Sequence, residues 1–484
     1  MKPQNLLFIM SDQHDPRYIG ALGNSTMKTP SIDRLVEQGT CFTNAYTPCP
    51  ICVPARACFA TGRPVHQIRY WDNAMGYDGR VRGWGHRLQE NGISVDSIGK
   101  LHYRHEDDPV GFDNQINHMH LKNGVGAVWG AVRDPLPTMP EPIRMYKSIG
   151  PGASNYVLYD RKTANLTCDW FRQRSEEGNE EKPWVLYVGF VSPHFPLVLP
   201  QKYLDLYPDD CVPPWKLHPD DGYVYHPWLE ASEKFWGQDN LFADEAEKRL
   251  AVRAYYGLCS FLDDQIGMIL DSLAYYELAD STRIVYSSDH GENAGTRGQW
   301  GKSNLYEEST KVPMIISGPD VPKGKICNTP VSLLDCYQTI LDGVGVPPEE
   351  GEQELTGKSL FEIAAAPEDP DRIILSEYHA IGAESGAFML RKGRFKFNYY
   401  VGYRPELFDL ENDPEETCDL ARDPEYNSVL EDLEAELRKI VDPEVADQQA
   451  KADQAELVEK HGGRVKALSV GAQGATPVTG MNQE

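Results

Sequence analysis

The densest chemistry in this 484-residue sequence lies in Cys49-Pro50-Ile51-Cys52-Val53-Pro54-Ala55-Arg56, which runs on to Thr61-Gly62-Arg63. A cysteine can be a nucleophile, a metal ligand or a small hydrophobe, and three readings of the loop compete. It could be a proline-rich loop with a buried thiol. The Cys49-x-x-Cys52 spacing could be half a zinc ribbon or a redox pair, but no second pair follows and no suitable strand leads in. The third reading is a nucleophile at a helix entrance. Pro54 suits a first helical turn and Gly62 a C-terminal cap, which places residue 52 just ahead of a helix N-terminus. The helix dipole and free N–H groups favour an oxyanion there. Arg56, about one turn in, could point back to hold such a group.

The other capable residues are scattered. Asp12-Gln13, Lys100 with His102, His194 in Ser192-Pro193-His194, Asp289-His290-Gly291-Glu292, and Lys302 after Gly301 lie far apart along the chain. Taken singly, each acid is a cap or turn former, each lysine a surface charge, each histidine a hydrogen-bonded loop residue. Together, Asp12, Gln13, Asp289 and His290 would offer carboxylate and amide oxygens plus an imidazole to a divalent cation.

Only a sheet can gather them. Four apolar runs, Leu6–Met10, Val95–Ile98, Val185–Val191 and Arg283–Ser287, read as buried strands, and each is followed at once by one of these groups. Strand C-terminal ends are where open α/β sheets bind ligands. The fold expected is α/β, a large mostly parallel central sheet flanked by helices, over residues 1–370. Apolar residues at helical spacing from Asp244 to Leu278 predict one or two scaffold helices. A smaller α+β domain is expected at 371–461, with an antiparallel hairpin (Ala387–Leu390, a turn at 391–394, Phe395–Val401) and an acidic helix over Tyr426–Ile440. The small-residue tail at 462–484 is expected to be disordered or to order on a neighbouring subunit.

The stretch Cys52-x-Pro54-Ala55-Arg56, followed by Thr61-Gly62-Arg63, resembles the signature of the formylglycine sulfatases of the alkaline phosphatase superfamily. The resemblance implies that Cys52 is oxidised by a separate formylglycine-generating enzyme to an aldehyde, whose hydrated form is the nucleophile. Gly99-Lys100-Leu101-His102 resembles the family's Gly-Lys-x-His element, implying that Lys100 contacts nucleophile and sulfate, and that His102 takes a proton as the covalent intermediate collapses. His194-Phe195-Pro196 and Lys302 resemble the elements that serve the leaving-group oxygen, and Asn73 falls where related hydrolases use an asparagine. The implied metal ligands are Asp12, Gln13, residue 52, Asp289 and His290, with calcium expected and manganese or magnesium as alternatives. Gln13 and His290 depart from the usual aspartate and asparagine and lean towards the choline sulfatase and phosphonate monoester hydrolase branches. Val312-Pro313, Ser332-Leu333-Leu334-Asp335, Leu407-Phe408-Asp409-Leu410 and Asp413-Pro414 extend the resemblance over all but the tail.

The expected activity is hydrolysis of a small-molecule sulfate monoester. Phosphonate monoester or phosphodiester hydrolysis by the same groups is the alternative, and a catalytically silent binding protein the contrasting class. A formal net charge of -26 argues against nucleic acid or an anionic membrane as partner, so an anionic ester needs a local positive pocket. Leu6–Met10 is too short for an export signal or a membrane span, and the ten cysteines read as reduced thiols; a cytoplasmic homo-oligomer, dimer or tetramer, is expected.

Overall fold

Runs of apolar residues without polar alternation cannot leave either face of a sheet in water, so they end up between helices. The computed structural model describes residues 2–137, 145–146, 148–178, 182–469 and 477–478. Its main sheet is eight-stranded and built from β1 (Asn5–Asp12), β2 (Gly39–Phe42), β3 (Ser94–Lys100), β4 (Asn114–Met119), β5 (Trp184–Pro193), β6 (Thr282–Ser288), β7 (Met314–Ser317) and β8 (Lys325–Cys327). The spatial order is β8-β2-β7-β6-β1-β5-β3-β4. β7 runs against both neighbours, and every other pairing is parallel. The four expected strands are β1, β3, β5 and β6, each extending one or two residues beyond its apolar run at either end.

β1 lies at the centre, Leu7 paired with Leu186 of β5 and Ile284 of β6. Alternate residues of β1 serve opposite faces. Leu7 and Ile9 pack with Ile32 and Leu35 of α1 (Pro30–Gln38), Phe171 of α3 (Asn155–Glu177) and Leu262 and Ile266 of α4 (Glu245–Tyr275). Leu6, Phe8 and Met10 pack with Phe59 of α2 (Cys52–Thr61) and Ile340 of α5 (Asp335–Val344). Because the central strands are parallel, their C-terminal ends emerge on one edge, with Asp12 opposite Pro193 and Ser11 opposite Ser288. The expected helical stretch after Asp244 is one helix, α4, begun by the Asp244 carboxylate accepting from the Glu247 N–H at 2.9 Å.

A second sheet, four-stranded and antiparallel, holds β9 (Ile374–Tyr378), β10 (Ala387–Lys392), β11 (Phe395–Tyr400) and β12 (Glu406–Asp409) in sequential order. The expected hairpin is tighter than its sequence suggests. Arg391 and Lys392 stay in the ladder opposite Lys396 and Phe395, leaving Gly393-Arg394 as the turn, with Gly393 at φ 58°. Leu433 and Leu437 of α6 (Asn427–Ile440) cover this sheet. A further helix, α7 (Pro443–Lys460), was not anticipated.

The two sheets are joined by buried charge. Lys396 of β11 is fully enclosed, 3.0 Å from Glu307 and 2.8 Å from Glu416. Arg297, paired with Glu308 on its own side at 3.0 Å, donates across to the carbonyls of Glu415 at 3.2 Å and Glu416 at 3.0 Å, and the Tyr306 hydroxyl donates to Glu406 at 2.9 Å. The start of the expected tail is a short helix, Gly463–Ser469; residues 470–476 and 479–484 lie outside the described residues. Among the described residues no helix is long and apolar enough to cross a membrane, and all ten cysteines are free thiols.

Candidate active site

Two strand ends and the start of one helix deliver four buried side chains to one point. Asp12 ends β1, Asp289 and His290 follow β6, and Cys52 opens α2; one ligand atom from each lies within 4.8 Å of the other three. Cys52 Sγ is 3.1 Å from His290 Nε2 and 3.7 Å from Asp12 Oδ1, and His290 Nε2 is 3.6 Å from Asp12 Oδ1 and 3.7 Å from Asp289 Oδ1. His290 Nδ1 sits 3.0 Å from the Gly291 carbonyl, which can only accept, so Nδ1 carries the proton. Burial above all pushes the imidazole down to about 4, so it is neutral near pH 7 and Nε2 is a bare lone pair. That lone pair faces two carboxylates, which can only accept, and the Cys52 thiol, whose single S–H cannot serve them all.

Cations surround this negative centre. The Lys100 ammonium pairs with Asp12 Oδ2, and Arg56 Nε meets Asp289 Oδ2 at 2.8 Å, with Nη2 3.6 Å from Asp12. Burial would raise the Asp12 carboxyl, but Lys100, then His194, His290 and Arg56, outweigh it and hold Asp12 well below the usual range. Arg56 therefore differs from the expectation. Its hydrogen bonds go to Asp289, to the carbonyls of Lys100 (3.0 Å) and Ser11 (3.4 Å) and to the Tyr187 hydroxyl (3.0 Å), so it braces the carboxylates and not residue 52. The Cys52 thiol is pushed up to about 12, by burial first and then by Asp12, so it is no thiolate at neutral pH.

Cys52 is the first residue of α2, one position further in than expected. Its N-cap, Ile51, has no capping side chain, and Asn73 supplies the missing acceptor: its Oδ1 takes the Val53 N–H at 3.1 Å. At the other end Gly62 adopts φ 66° and its N–H bonds to Cys58, the cap expected of it.

Gln13, in a left-handed conformation at φ 69°, donates its backbone N–H to Asp289 Oδ1 at 3.1 Å. Its amide oxygen accepts from Lys302 Nζ at 2.6 Å and its amide nitrogen donates to Glu292. Lys302 also lies over the Phe195 ring at 5.1 Å. His194 is buried, with Nδ1 2.6 Å from the Phe195 carbonyl; burial, then Lys302, pushes it well below 6.5. His102 is buried at φ 60°, its backbone N–H on the Met119 carbonyl at 2.8 Å. Sequence reasoning gave no role to Glu292, nor to Tyr187 and Asp160. Asp160 Oδ1 and Oδ2 accept the N–H groups of Val191 (2.9 Å) and Ser192 (2.8 Å), fixing the strand end before His194. Tyr187 and Asp160 act on partners at least 31 positions away, and Glu292, although it also bonds the nearby Ala294 and Gly301, meets Gln13 from 279 positions away.

The model of the sulfatase family matches residues 4–346 of the chain. The protein belongs to the sulfatase family. Residues 295–442 also match the C-terminal region of N-sulphoglucosamine sulphohydrolase. A choline-sulfatase of Rhizobium meliloti is 31% identical to this sulfatase over 433 residues, 87% of this chain and 83% of that one. Arylsulfatase K of Homo sapiens is 28% identical over 475 residues, 91% and 82% of the two chains. The phosphonate monoester hydrolase of Agrobacterium radiobacter shares the fold, with a TM-score of 0.71 at 21% identity, covering 93% of this chain and 96% of that one. The sulfatase is a sulfuric ester hydrolase.

Proposed function

We propose that this sulfatase hydrolyses a small-molecule sulfate monoester, with formylglycine made from Cys52 as nucleophile and a divalent cation held by Asp12, Gln13, Asp289, His290 and residue 52. The observation that carries the reading is the buried convergence of two carboxylates, a bare imidazole nitrogen and Cys52. The donors fit a cation, because His290 Nε2 and the carboxylate oxygens face one another as acceptors and only a positive charge among them removes the conflict. Two carboxylates and an amide suit calcium, with magnesium as a second oxygen-preferring ion, and the imidazole shifts the balance towards manganese. When bound, the cation supplies Lewis-acid polarisation of the sulfuryl oxygens. The oxidised and hydrated residue 52 would supply an oxygen nucleophile, whereas the unmodified thiol, pushed up to about 12, offers little thiolate at neutral pH.

The chain's own residues do the rest. Lys100 and Lys302 bring positive charge to the anionic ester inside a strongly acidic protein. Lys302 stands ready to protonate the leaving oxygen. His194, with its Nδ1 on the Phe195 carbonyl, offers only a lone pair at Nε2 until the anionic substrate favours its charged, two-donor form. His102 takes the proton that releases the product and regenerates the nucleophile. Asn73 holds the first turn of α2 and with it the position of residue 52.

The alcohol is small, and choline sulfate is one candidate, in keeping with the choline-sulfatase relative. Gln13 and His290 favour phosphonate monoester hydrolysis as the second reading, separated by relative rates on sulfate and phosphonate esters. Residues 1–370 form the catalytic part and 371–461 the smaller part of a cytoplasmic homo-oligomer. Peptide mass spectrometry across Cys52, after co-production with a formylglycine-generating enzyme, tests the nucleophile. An aldehyde is expected, with Cys52→Ala inactive at an unchanged unfolding temperature; full activity in Cys52→Ala would refute it.

A further inference from the structure

Glu292 is almost completely buried two residues beyond His290, and its hydrogen bonds go to Gln13, Tyr146, Ala294 and Gly301. Both of its oxygens are engaged as acceptors. Oε1 takes the N–H groups of Ala294 at 2.8 Å and Gly301 at 2.7 Å; Oε2 takes the Gln13 amide nitrogen and the Tyr146 hydroxyl at 3.3 Å. On the other side of the Gln13 amide, Lys302 only donates. A side-chain amide is nearly symmetric in shape, and either orientation fits the same space. Here a pure donor on one side and a pure acceptor on the other leave one orientation, with Oε1 towards Lys302 and Nε2 towards Glu292.

We propose that Glu292 is a positioning residue that locks the Gln13 amide so that its oxygen, and not its nitrogen, is presented on the Lys302 side of the metal-ligand cluster. The same carboxylate ties the segment after β6 to the Gly301-Lys302 segment through the Gly301 N–H, so one side chain sets both the amide and the lysine that meets it. This rests on the reading of Gln13 as a ligand to a divalent cation.

Glu292→Gln creates a conflict it cannot relieve by rotation. With its oxygen on the Ala294 and Gly301 N–H groups, its nitrogen meets the Gln13 nitrogen; reversed, its nitrogen meets the two backbone N–H groups. Turning the Gln13 amide to escape would set its nitrogen against the Lys302 ammonium.

The test is calorimetric titration of metal-stripped protein with Ca2+ and with Mn2+, in a double-mutant cycle of Glu292→Gln and Gln13→Ala. Glu292→Gln is expected to weaken binding on the order of 10- to 100-fold, the range for partners that orient a ligand. In the Gln13→Ala background it should change affinity by less than about 3-fold, because its target is gone. Equal losses in both backgrounds would mean that Glu292 acts through charge or general stability, and the proposal falls; so it does if Glu292→Gln binds as the parent does. Should Glu292→Gln not fold, Glu292→Asp takes its place in the cycle, since it keeps the charge and withdraws it from Gln13 by one methylene, and the same two outcomes decide. Asp289→Asn separates the two levels. If it too binds like the parent, the cation reading of the whole site fails; if it loses binding while Glu292→Gln does not, only the positioning role fails.

Discussion

Arg56→Met tests the electrostatic design of the centre most directly. Methionine keeps much of the stem's packing and removes the guanidinium, which stands 2.8 Å from Asp289 and 3.6 Å from Asp12, both buried. Removing one partner of a buried pair costs about 3–5 kcal/mol, because the remaining charge has no water to turn to. The Lys100 and Ser11 carbonyls lose a donor as well. In a chain of this size a kcal/mol moves the unfolding temperature by only about 1–2 °C, so a fall of roughly 3–10 °C is expected in metal-free protein. A cation at the centre compensates the same stranded carboxylates. Ligand at 100 times its dissociation constant adds about 2.7 kcal/mol to any protein it binds, and Arg56→Met should gain more than the parent because the repulsion between guanidinium and cation has gone. The gap between the two proteins should therefore narrow in millimolar Ca2+ or Mn2+, read by calorimetric unfolding with chelator and with metal. An equal gap in both conditions, or no gap at all, would refute the account of Arg56 as the counter-charge to the two carboxylates.

Two further changes probe the supports of the site. Burial raises the Asp160 carboxyl from 3.8 to about 6, so folding takes up a proton there, and the stability that proton uptake contributes is full below about pH 3.8 and lost as pH rises through about 6. The difference in unfolding temperature between the parent and Asp160→Asn should drift between pH 4.5 and 6 and flatten above about 6.5; a difference constant across that range would contradict it. Gln454 of α7 is buried and bonds the Asp72 carboxylate at 2.7 Å, the His379 carbonyl at 2.9 Å and Arg133 at 3.0 Å. Gln454→Ala should cost about 1–3 kcal/mol and speed hydrogen exchange at residues 70–73, where Asn73 caps α2; exchange unchanged in that loop would show that α7 does not brace it.

What could be read from the sequence follows the physics of each element. β1 and β5 carry long apolar runs, which a sheet buried on both faces explains, while β3 and β6 hold shorter ones around Asp96, Ser97 and Arg283; the polar ends of all four pointed to the edge that holds the candidate site. The reversed direction of β7 has no such signature, since Met314–Ser317 is equally apolar either way round. α7 escaped notice for a different reason. Its buried positions, Pro443, Ala446, Asp447, Ala450, Gln454 and Val458, keep helical spacing, but several are polar or small, so no apolar stripe announces them. Asp447 and Gln454 face inwards to meet Arg133, a partnership between residues some 300 positions apart. The bond of Asn73 to the uncapped Val53 N–H has no local signature, because the two residues are 20 positions apart. The direction of Arg56 was equally hidden, since which acid a buried guanidinium meets depends on where two distant strands end.

The enclosed pairing of Lys396 with Glu307 and Glu416 bears on how this enzyme can be re-engineered. Lys396 and Glu416 both belong to the smaller part, so peeling it from the larger would strand Glu307 on one surface and leave Lys396 one carboxylate short on the other, a cost of several kcal/mol before any apolar area is counted. The four-stranded unit is thus no interchangeable cassette. Chimeras that graft it from another parent must carry all three charged residues across the junction together, and breakpoints between residues 307 and 416 that separate them should yield insoluble chains.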